Sequence, residues 1–139
     1  VAWHDEIDAA CWQKLAVNCV ISPLTVIYDC KNGELMSHLP QIRVLCDEVA
    51  EVMLREGIHT DGDDIYEYIL HVIEKTADHS SSMRRDILYG RYTEIDYITG
   101  YLLQRARYHG ILLPEHIHVY SLVKQKEEQN APFSSHLSR

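Results

Sequence analysis

The stretch that decides the fold covers residues 9–30, with the sequence AACWQKLAVNCVISPLTVIYDC. At about 100° of rotation per residue, its apolar side chains fall around most of a helix, so the segment is predicted to be a buried central helix. One row of polar side chains interrupts this surface within an arc of roughly 80°. This row, which we call the polar stripe, consists of Lys14, Asn18, Ser22, Thr25 and Asp29.

The polar stripe needs partners that a purely apolar core does not supply. A protein interior accepts lysine, asparagine and aspartate side chains only when they are paired or hydrogen-bonded. The polar stripe must therefore face other polar groups, a water-filled cleft or a ligand, and we favour the cleft. Pro23 cannot donate a hydrogen bond to the carbonyl of Cys19, so the sequence also predicts a bend in the helix beside Ser22.

Length and charge narrow the class of protein. The 139 residues suit one domain with a substantial core, and the formal net charge is −8 at pH 7. Nucleic acids and acidic membranes bind clustered lysine and arginine, so neither is expected as a partner. No apolar run of about 18 residues lacks a polar interruption. We therefore expect a cytoplasmic protein without a membrane span. Because the chain opens at Val1, we also expect it to be a fragment of a longer protein.

No metal or dinucleotide motif is recognised. The four cysteines lack metal-ligand spacing and are expected to be free, buried thiols; they are Cys11, Cys19, Cys30 and Cys46. His116 and His118 would point to different sides of a helix. A calcium-loop interpretation of the sequence DGDD at residues 61–64 fails at Ile65, which offers no oxygen ligand. A glycine-rich GxGxxG loop is also lacking, so no metal and no dinucleotide loop are predicted for this chain.

The rest of the chain predicts further helices and an all-α fold class. Amphipathic segments with capping signals give helices over residues 40–56, 63–77, 83–89, 94–109 and 114–128. Lys31-Asn32-Gly33 is predicted to form a turn, since asparagine and glycine tolerate positive φ. Thr93 and Asp96 resemble a capping box. Residues 1–128 are thus expected to form one helical domain, followed by a loose polar tail over residues 129–139.

Two blocks of sequence resemble a known family. They are KLAVNCVISPLT at residues 14–25, leading to NGEL at 32–35, and SSM at 81–83, leading to TEIDYITG at 93–100. From about residue 14 to residue 126 the chain resembles the C-terminal domain of the ketopantoate reductase (2-dehydropantoate 2-reductase) family. The resemblance implies a helical domain like the C-terminal domain of 6-phosphogluconate dehydrogenase, with a long kinked central helix. It also implies closure over an N-terminal Rossmann domain that binds NADPH and is absent from this chain.

The resemblance also implies roles for six residues. Lys14 matches the general acid that protonates the ketone oxygen as hydride reaches the carbonyl carbon. Asn18, Asn32 and Ser82 match groups that hold the substrate's carboxylate and hydroxyls, and Glu94 matches an acid beside the cofactor and the lysine. Ser22 stands where the family usually has a second asparagine, and is counted with the substrate-binding set. An ammonium beside a forming alkoxide stabilises its charge and can then donate the proton.

Each of these residues also has a structural interpretation. Lys14 could pair with Asp29 or Glu94, and Asn18 and Ser22 could bond backbone carbonyls. Ser82 could be an ordinary helix cap, and Glu94 an ordinary acid in a first helical turn.

Two functional hypotheses follow. The first is one half of an NADPH-dependent reductase that converts 2-dehydropantoate to (R)-pantoate in pantothenate and coenzyme A synthesis, and that is inactive without its Rossmann domain. The alternative is a stand-alone helical oligomerisation module that has lost catalysis. A domain separated from its partner would expose an apolar face, so a homodimer is plausible under either hypothesis.

Overall fold

A computed structural model of the protein describes residues 2–130, with side chains from residue 8 onward. Its helices are α1 (Ala2–Tyr28), a 3₁₀ helix (Asn32–His38), α2 (Leu39–Arg55), α3 (Gly62–Lys75), α4 (Ser82–Leu88), α5 (Ile95–Tyr108) and α6 (Pro114–Asn130). Within this range every regular element is helical, so the predicted all-α class is confirmed. Of the predicted tail, α6 includes Asn130, and residues 131–139 lie outside the described part of the chain.

Helix α1 is the centre around which the other helices pack. It contacts the 3₁₀ helix and each of α2, α3, α4, α5 and α6. Ala16, Val20 and Leu24 on α1 are completely buried. The helix runs past Pro23 without interruption. The predicted buried central helix is therefore confirmed, and it begins earlier in the chain than the sequence suggested.

The same helix passes a simple test for a membrane span. The stretch Asp8–Tyr28 has 21 residues and a mean hydropathy of 1.3, contrary to the expectation that no run is long and apolar enough. Half of its most apolar window is buried inside the protein. Packing at the centre of a helical domain accounts for this composition, because a helix that is apolar almost all round is typical of a protein core as well as of a membrane.

Capping residues set most helix boundaries where the sequence predicted them. The Asp61 carboxylate accepts a hydrogen bond from Asp64 N at 2.8 Å and begins α3. The Ser81 hydroxyl accepts one from Arg84 N at 3.0 Å and begins α4. Gly57 follows α2 with φ of +94°, a conformation that glycine adopts without strain.

The predicted turn at residues 31–33 is wrong in its physical reason. The left-handed residue is Asp29, with φ of 48°, which ends α1, whereas Asn32 and Gly33 have no positive φ. Gly33 is instead required by a close approach, because a Cβ atom there would lie 2.7 Å from the Ala77 Cβ. Its amide also donates to the Ala77 carbonyl at 3.0 Å. The segment opens the 3₁₀ helix and packs it against the residues that follow α3.

The predicted capping box is also wrong. Helix α5 begins at Ile95 with Glu94 as its cap residue, and the Glu94 side chain forms no capping hydrogen bond. The Thr93 hydroxyl oxygen does accept from Ile95 N at 3.1 Å, but the return bond of a capping box, from Thr93 N to Asp96, is missing because Thr93 N donates to Glu127 at 2.7 Å. Asp96 accepts a hydrogen bond from the Tyr120 hydroxyl, and the Thr93 hydroxyl donates to Glu127 at 2.6 Å. Side chains of α6 therefore bind Thr93 and Asp96, the two residues that a local capping box would join to each other.

The cysteines are free, but they are not all buried as expected. Cys19, Cys30 and Cys46 are buried, whereas Cys11 on α1 is exposed. Burial raises the pKa of the Cys46 thiol to about 12. Thiols held in this protonated form are weak nucleophiles, so the buried cysteines act as small apolar residues.

Candidate active site

The C-terminal part of the polar stripe, Thr25 and Asp29, is here called its lower half, and its side chains contact the start of α4. The Thr25 hydroxyl donates to the Ser22 carbonyl at 2.7 Å, and its oxygen lies 2.6 Å from the Ser81 hydroxyl oxygen. The Asp29 carboxylate accepts from Arg84 Nε at 3.0 Å. These two residues are therefore satisfied by protein partners, and they fix the start of α4 beside the polar stripe.

The N-terminal part of the polar stripe, its upper half, is accessible to solvent and consists of Lys14, Asn18 and Ser22. The Lys14 side chain is exposed, and Asn18 and Ser22 are half-buried. Each step of four residues advances about 6 Å along the helix, so the three side chains form a short row on one face. Within the part of the chain that the structure describes, none of these three side chains forms a hydrogen bond or an ion pair. The alternative pairing of Lys14 with Asp29 does not form, because the two residues are separated by about 22 Å along α1. Asp29 binds Arg84 instead.

Ser82 lies near the lower end of this row. It is the first residue of α4 and follows Ser81, whose hydroxyl caps the helix and contacts Thr25. The Ser82 side chain is exposed. The capping role suggested as an alternative for Ser82 therefore belongs to Ser81, and the Ser82 hydroxyl stays available.

Glu94 immediately precedes α5, which packs against α1. Cys19 Sγ lies 3.6 Å from the Ile98 carbonyl oxygen, and the rings of Trp12 and Tyr101 are 6.0 Å apart. Helix α5 therefore runs antiparallel to α1, and Glu94 at its start lies toward the Ser22 end of the polar stripe. The Glu94 carboxylate is exposed and binds no other described residue, so the alternative pair with Lys14 does not form either.

Asn32 has a different environment from the other predicted site residues. It is only 8% exposed, and its Nδ2 donates to the Thr76 hydroxyl at 2.9 Å. Its backbone amide donates to the His79 carbonyl at 3.0 Å. The side-chain oxygen Oδ1 is buried and has no partner among the described residues. Asn32 thus joins the 3₁₀ helix to the end of α3 and keeps one acceptor free, but no contact joins it directly to the polar stripe.

The arrangement offers the chemistry of an anion-stabilising surface. An ammonium, an amide and hydroxyls share one side of the domain, and all are hydrogen-bond donors that can stabilise charge on a substrate oxygen. No group of three or more histidine, cysteine, aspartate or glutamate side chains in the described residues could hold a metal ion. The residues that sequence reasoning missed are the supporting ones, chiefly Ser81 and Arg84. The run of serines at residues 80–82 gave a local signal for Ser81, whereas no local pattern indicated Arg84.

Comparison with known proteins identifies the family. The family model described as ketopantoate reductase PanE/ApbA C terminal matches residues 6–127. The chain belongs to this family. The 2-dehydropantoate 2-reductase of Yersinia pestis is 56% identical over 127 residues, which is 91% of this chain and 42% of the relative. The chain thus spans less than half the length of this curated relative.

Solved structures of similar proteins have the same helical fold. D-Mandelate dehydrogenase, in a ternary structure with NADH and anilino(oxo)acetate, superposes with a TM-score of 0.82 at 27% identity over 90% of this chain and 42% of that one. The dimeric ketopantoate reductase from Staphylococcus aureus superposes with a TM-score of 0.74 at 25% identity over 89% of this chain and 44% of that one. This ketopantoate reductase C-terminal domain is therefore similar to one part of larger oxidoreductases.

Proposed function

We propose that this domain is the substrate-closing half of an NADPH-dependent reductase that converts 2-dehydropantoate to (R)-pantoate in pantothenate and coenzyme A synthesis. The whole enzyme would act in the cytoplasm. The cofactor would be held mainly by an N-terminal Rossmann domain, and residues 1–128 would form the helical domain that closes over it. This domain alone is expected to be inactive.

One observation carries the proposal. Five of the proposed site side chains bind no other described group: Lys14, Asn18, Ser22, Ser82 and Glu94. Their neighbours Thr25, Asp29 and Ser81 are all hydrogen-bonded. A polar row that is half satisfied and half open on the central helix is suited to an external ligand.

The proposed mechanism gives each group a role that its chemistry permits. NADPH, when bound, supplies the hydride for the carbonyl carbon of the substrate. The Lys14 ammonium stabilises the charge that forms on the ketone oxygen and then donates its proton to that oxygen. Asn18, Ser22 and Ser82 donate hydrogen bonds to the substrate's carboxylate or accept them from its hydroxyls. Asn32 is kept in the substrate-binding set because of the family resemblance; its Oδ1 is unpartnered but buried, so a substrate hydroxyl reaches it only if the 3₁₀ segment shifts.

Glu94 is assigned to the cofactor side of the site. Its carboxylate is exposed and free, so it fits a hydroxyl donor such as that of a ribose. The described residues include no glycine-rich phosphate loop, so the remaining cofactor contacts are assigned to the N-terminal domain.

The alternative, a stand-alone oligomerisation module, is not favoured, because the relatives are named as reductases and five of the six proposed site side chains, all except Asn32, bind no other described group. A homodimer remains compatible with the reductase proposal. Light scattering of the isolated domain would measure its mass.

The test uses the full-length product of the gene. We expect it to oxidise NADPH when 2-dehydropantoate is added, more efficiently than NADH, and we expect the isolated domain to be inactive. Ser22→Asn should change KM for 2-dehydropantoate more than kcat, because it alters a substrate contact and leaves the acid in place. A full-length product that folds and does not reduce 2-dehydropantoate would contradict the proposal.

A further inference from the structure

Glu127 is a buried carboxylate that the proposed reaction does not use. It lies on α6 and is 2% exposed. Its Oε2 accepts hydrogen bonds from the Thr93 backbone amide at 2.7 Å and from the Thr93 hydroxyl at 2.6 Å. The Thr93 hydroxyl oxygen in turn accepts from Ile95 N at 3.1 Å. Glu127 thus holds Thr93 directly, and the Thr93 hydroxyl in turn holds Ile95 on the other side of Glu94.

Two more residues of α6 hold the chain just after Glu94. The Tyr120 hydroxyl donates to the Asp96 carboxylate, and Lys124 Nζ lies 3.3 Å from Asp96 Oδ2. Lys124 Nζ also lies 3.0 Å from Glu127 Oε1. These three residues are spaced at helical intervals and share one face of α6. We call Tyr120, Lys124 and Glu127 the α6 clamp.

The clamp leaves Glu94 itself untouched. The Glu94 carbonyl accepts from the amides of Tyr97 and Ile98, at 2.9 and 3.1 Å, so its backbone is fixed by the first turn of α5. The clamp fixes the flanking residues 93 and 96, and the Glu94 carboxylate extends freely from this immobilised segment. Functional side chains are placed most accurately when their own backbone is held by a second layer of hydrogen bonds.

Burying a carboxylate such as that of Glu127 is costly even when it is paired. A well-packed apolar residue would often stabilise the fold equally well or better, so a buried ion pair is weak evidence for a stabilising role. Its bonds to Thr93, in contrast, define the conformation of the loop in detail. The geometry favours control of that loop as the role of Glu127.

We propose that Glu127 is a positioning residue, which acts through Thr93 and with Lys124 to hold the Glu94 carboxylate in the orientation that the cofactor side of the site requires. The inference rests on the proposed function of Glu94. It predicts that the effect of losing the clamp passes through Glu94, whereas a purely structural role would not depend on which residue occupies position 94.

The test is a double-mutant cycle in the full-length enzyme, with kcat and KM for NADPH measured for Glu127→Gln, Glu94→Gln and the double variant. We expect Glu127→Gln to lower kcat/KM for NADPH by about tenfold in the wild-type background and by less than about twofold in the Glu94→Gln background. The matched control is Glu128→Gln, an exposed neighbour on α6 that should leave both constants unchanged.

The possible outcomes separate the two proposals. Equal losses from Glu127→Gln in both backgrounds would overturn the positioning role. Full activity of Glu94→Gln would instead contradict the role proposed for Glu94. Tyr120→Phe removes one clamp hydrogen bond and keeps the apolar ring, so it serves the same cycle if Glu127→Gln does not fold. The same dependence on Glu94, with a smaller loss, would support the proposal, and equal losses would overturn it.

Discussion

Replacing Glu48 by glutamine tests how the last helix is attached to the domain. Glu48 lies on α2, and its carboxylate accepts hydrogen bonds from the backbone amides of Glu115 and His116, at 2.9 and 3.0 Å. The same carboxylate lies 2.8 Å from Nδ1 of the buried His116 ring. Glu48 therefore caps the start of α6 from a different helix, and the glutamine variant loses the charge and one acceptor oxygen.

The magnitude follows from the bonds that are lost. A hydrogen bond to a charged group contributes about 1.5–3 kcal/mol, and loss of a helix N-cap costs about 0.5–2 kcal/mol. Because glutamine keeps one acceptor and these terms overlap, we expect Glu48→Gln to lower the free energy of unfolding by about 2–3 kcal/mol. At about 3 °C per kcal/mol for a chain of this size, Tm should fall by about 6–9 °C.

The assay is urea unfolding of the domain followed by far-ultraviolet circular dichroism. The matched control is Glu51→Gln, an exposed acid on the same helix, which should stay within about 0.5 kcal/mol of the wild type. A loss below that value for Glu48→Gln, or an equal loss for both variants, would refute the capping role.

Three further predictions concern pH, glycine positions and the lower part of the polar stripe. Burial opposes the charged form of Glu48, but hydrogen bonds from His116 and the α6 amides hold the pKa of this carboxylate below its ordinary value. The stabilising effect of Glu48 should therefore be complete above the ordinary glutamate pKa and fade as the pH falls toward the folded-state pKa. Urea unfolding should give free energies for wild type and Glu48→Gln that converge in acid. Gly33→Ala should destabilise the domain by about 1–3 kcal/mol through overpacking. At Gly100 an added Cβ meets nothing closer than 3.8 Å, so Gly100→Ala should stabilise the domain by about 0.5–1 kcal/mol. Thermal unfolding of the two variants compares these effects. Thr25→Val removes the partner of the Ser81 hydroxyl and should cost about 1–2 kcal/mol in urea unfolding; an unchanged midpoint would show that this contact does not anchor α4.

The central helix and most boundaries could be predicted from the sequence because their causes are local. The apolar periodicity around Ala16 and Leu24 requires only a regular rotation per residue. Asp61 and Gly57 act within one turn of their own helices, so their capping roles are visible in a short window.

The errors arose where distant residues decided the structure. The capping box at Thr93 and Asp96 had a suitable local pattern, but side chains of α6 bind both groups. Gly33 was expected to supply a positive φ, but it is required by the approach of Ala77, which no local pattern reveals. Such contacts between sequence-distant residues depend on how helices pack, and propensity does not encode them.

The candidate site also has a part that the sequence could predict and a part that depends on how the helices pack. The row of Lys14, Asn18 and Ser22 follows from helical spacing, and the structure keeps the three on one accessible face. The position of Glu94 relative to that row depends on the antiparallel packing of α5 on α1, which the sequence alone could not supply.

The acid role of Lys14 is tested most directly by the turnover of the full-length enzyme with Lys14→Ala, measured as NADPH oxidation with saturating 2-dehydropantoate. The control is Lys75→Ala, an exposed lysine in the last turn of α3. We expect Lys14→Ala to lower kcat by at least about 100-fold, with Tm unchanged and with Lys75→Ala at the wild-type rate. A Lys14→Ala enzyme that turns over as fast as the control would contradict the role of Lys14 as general acid.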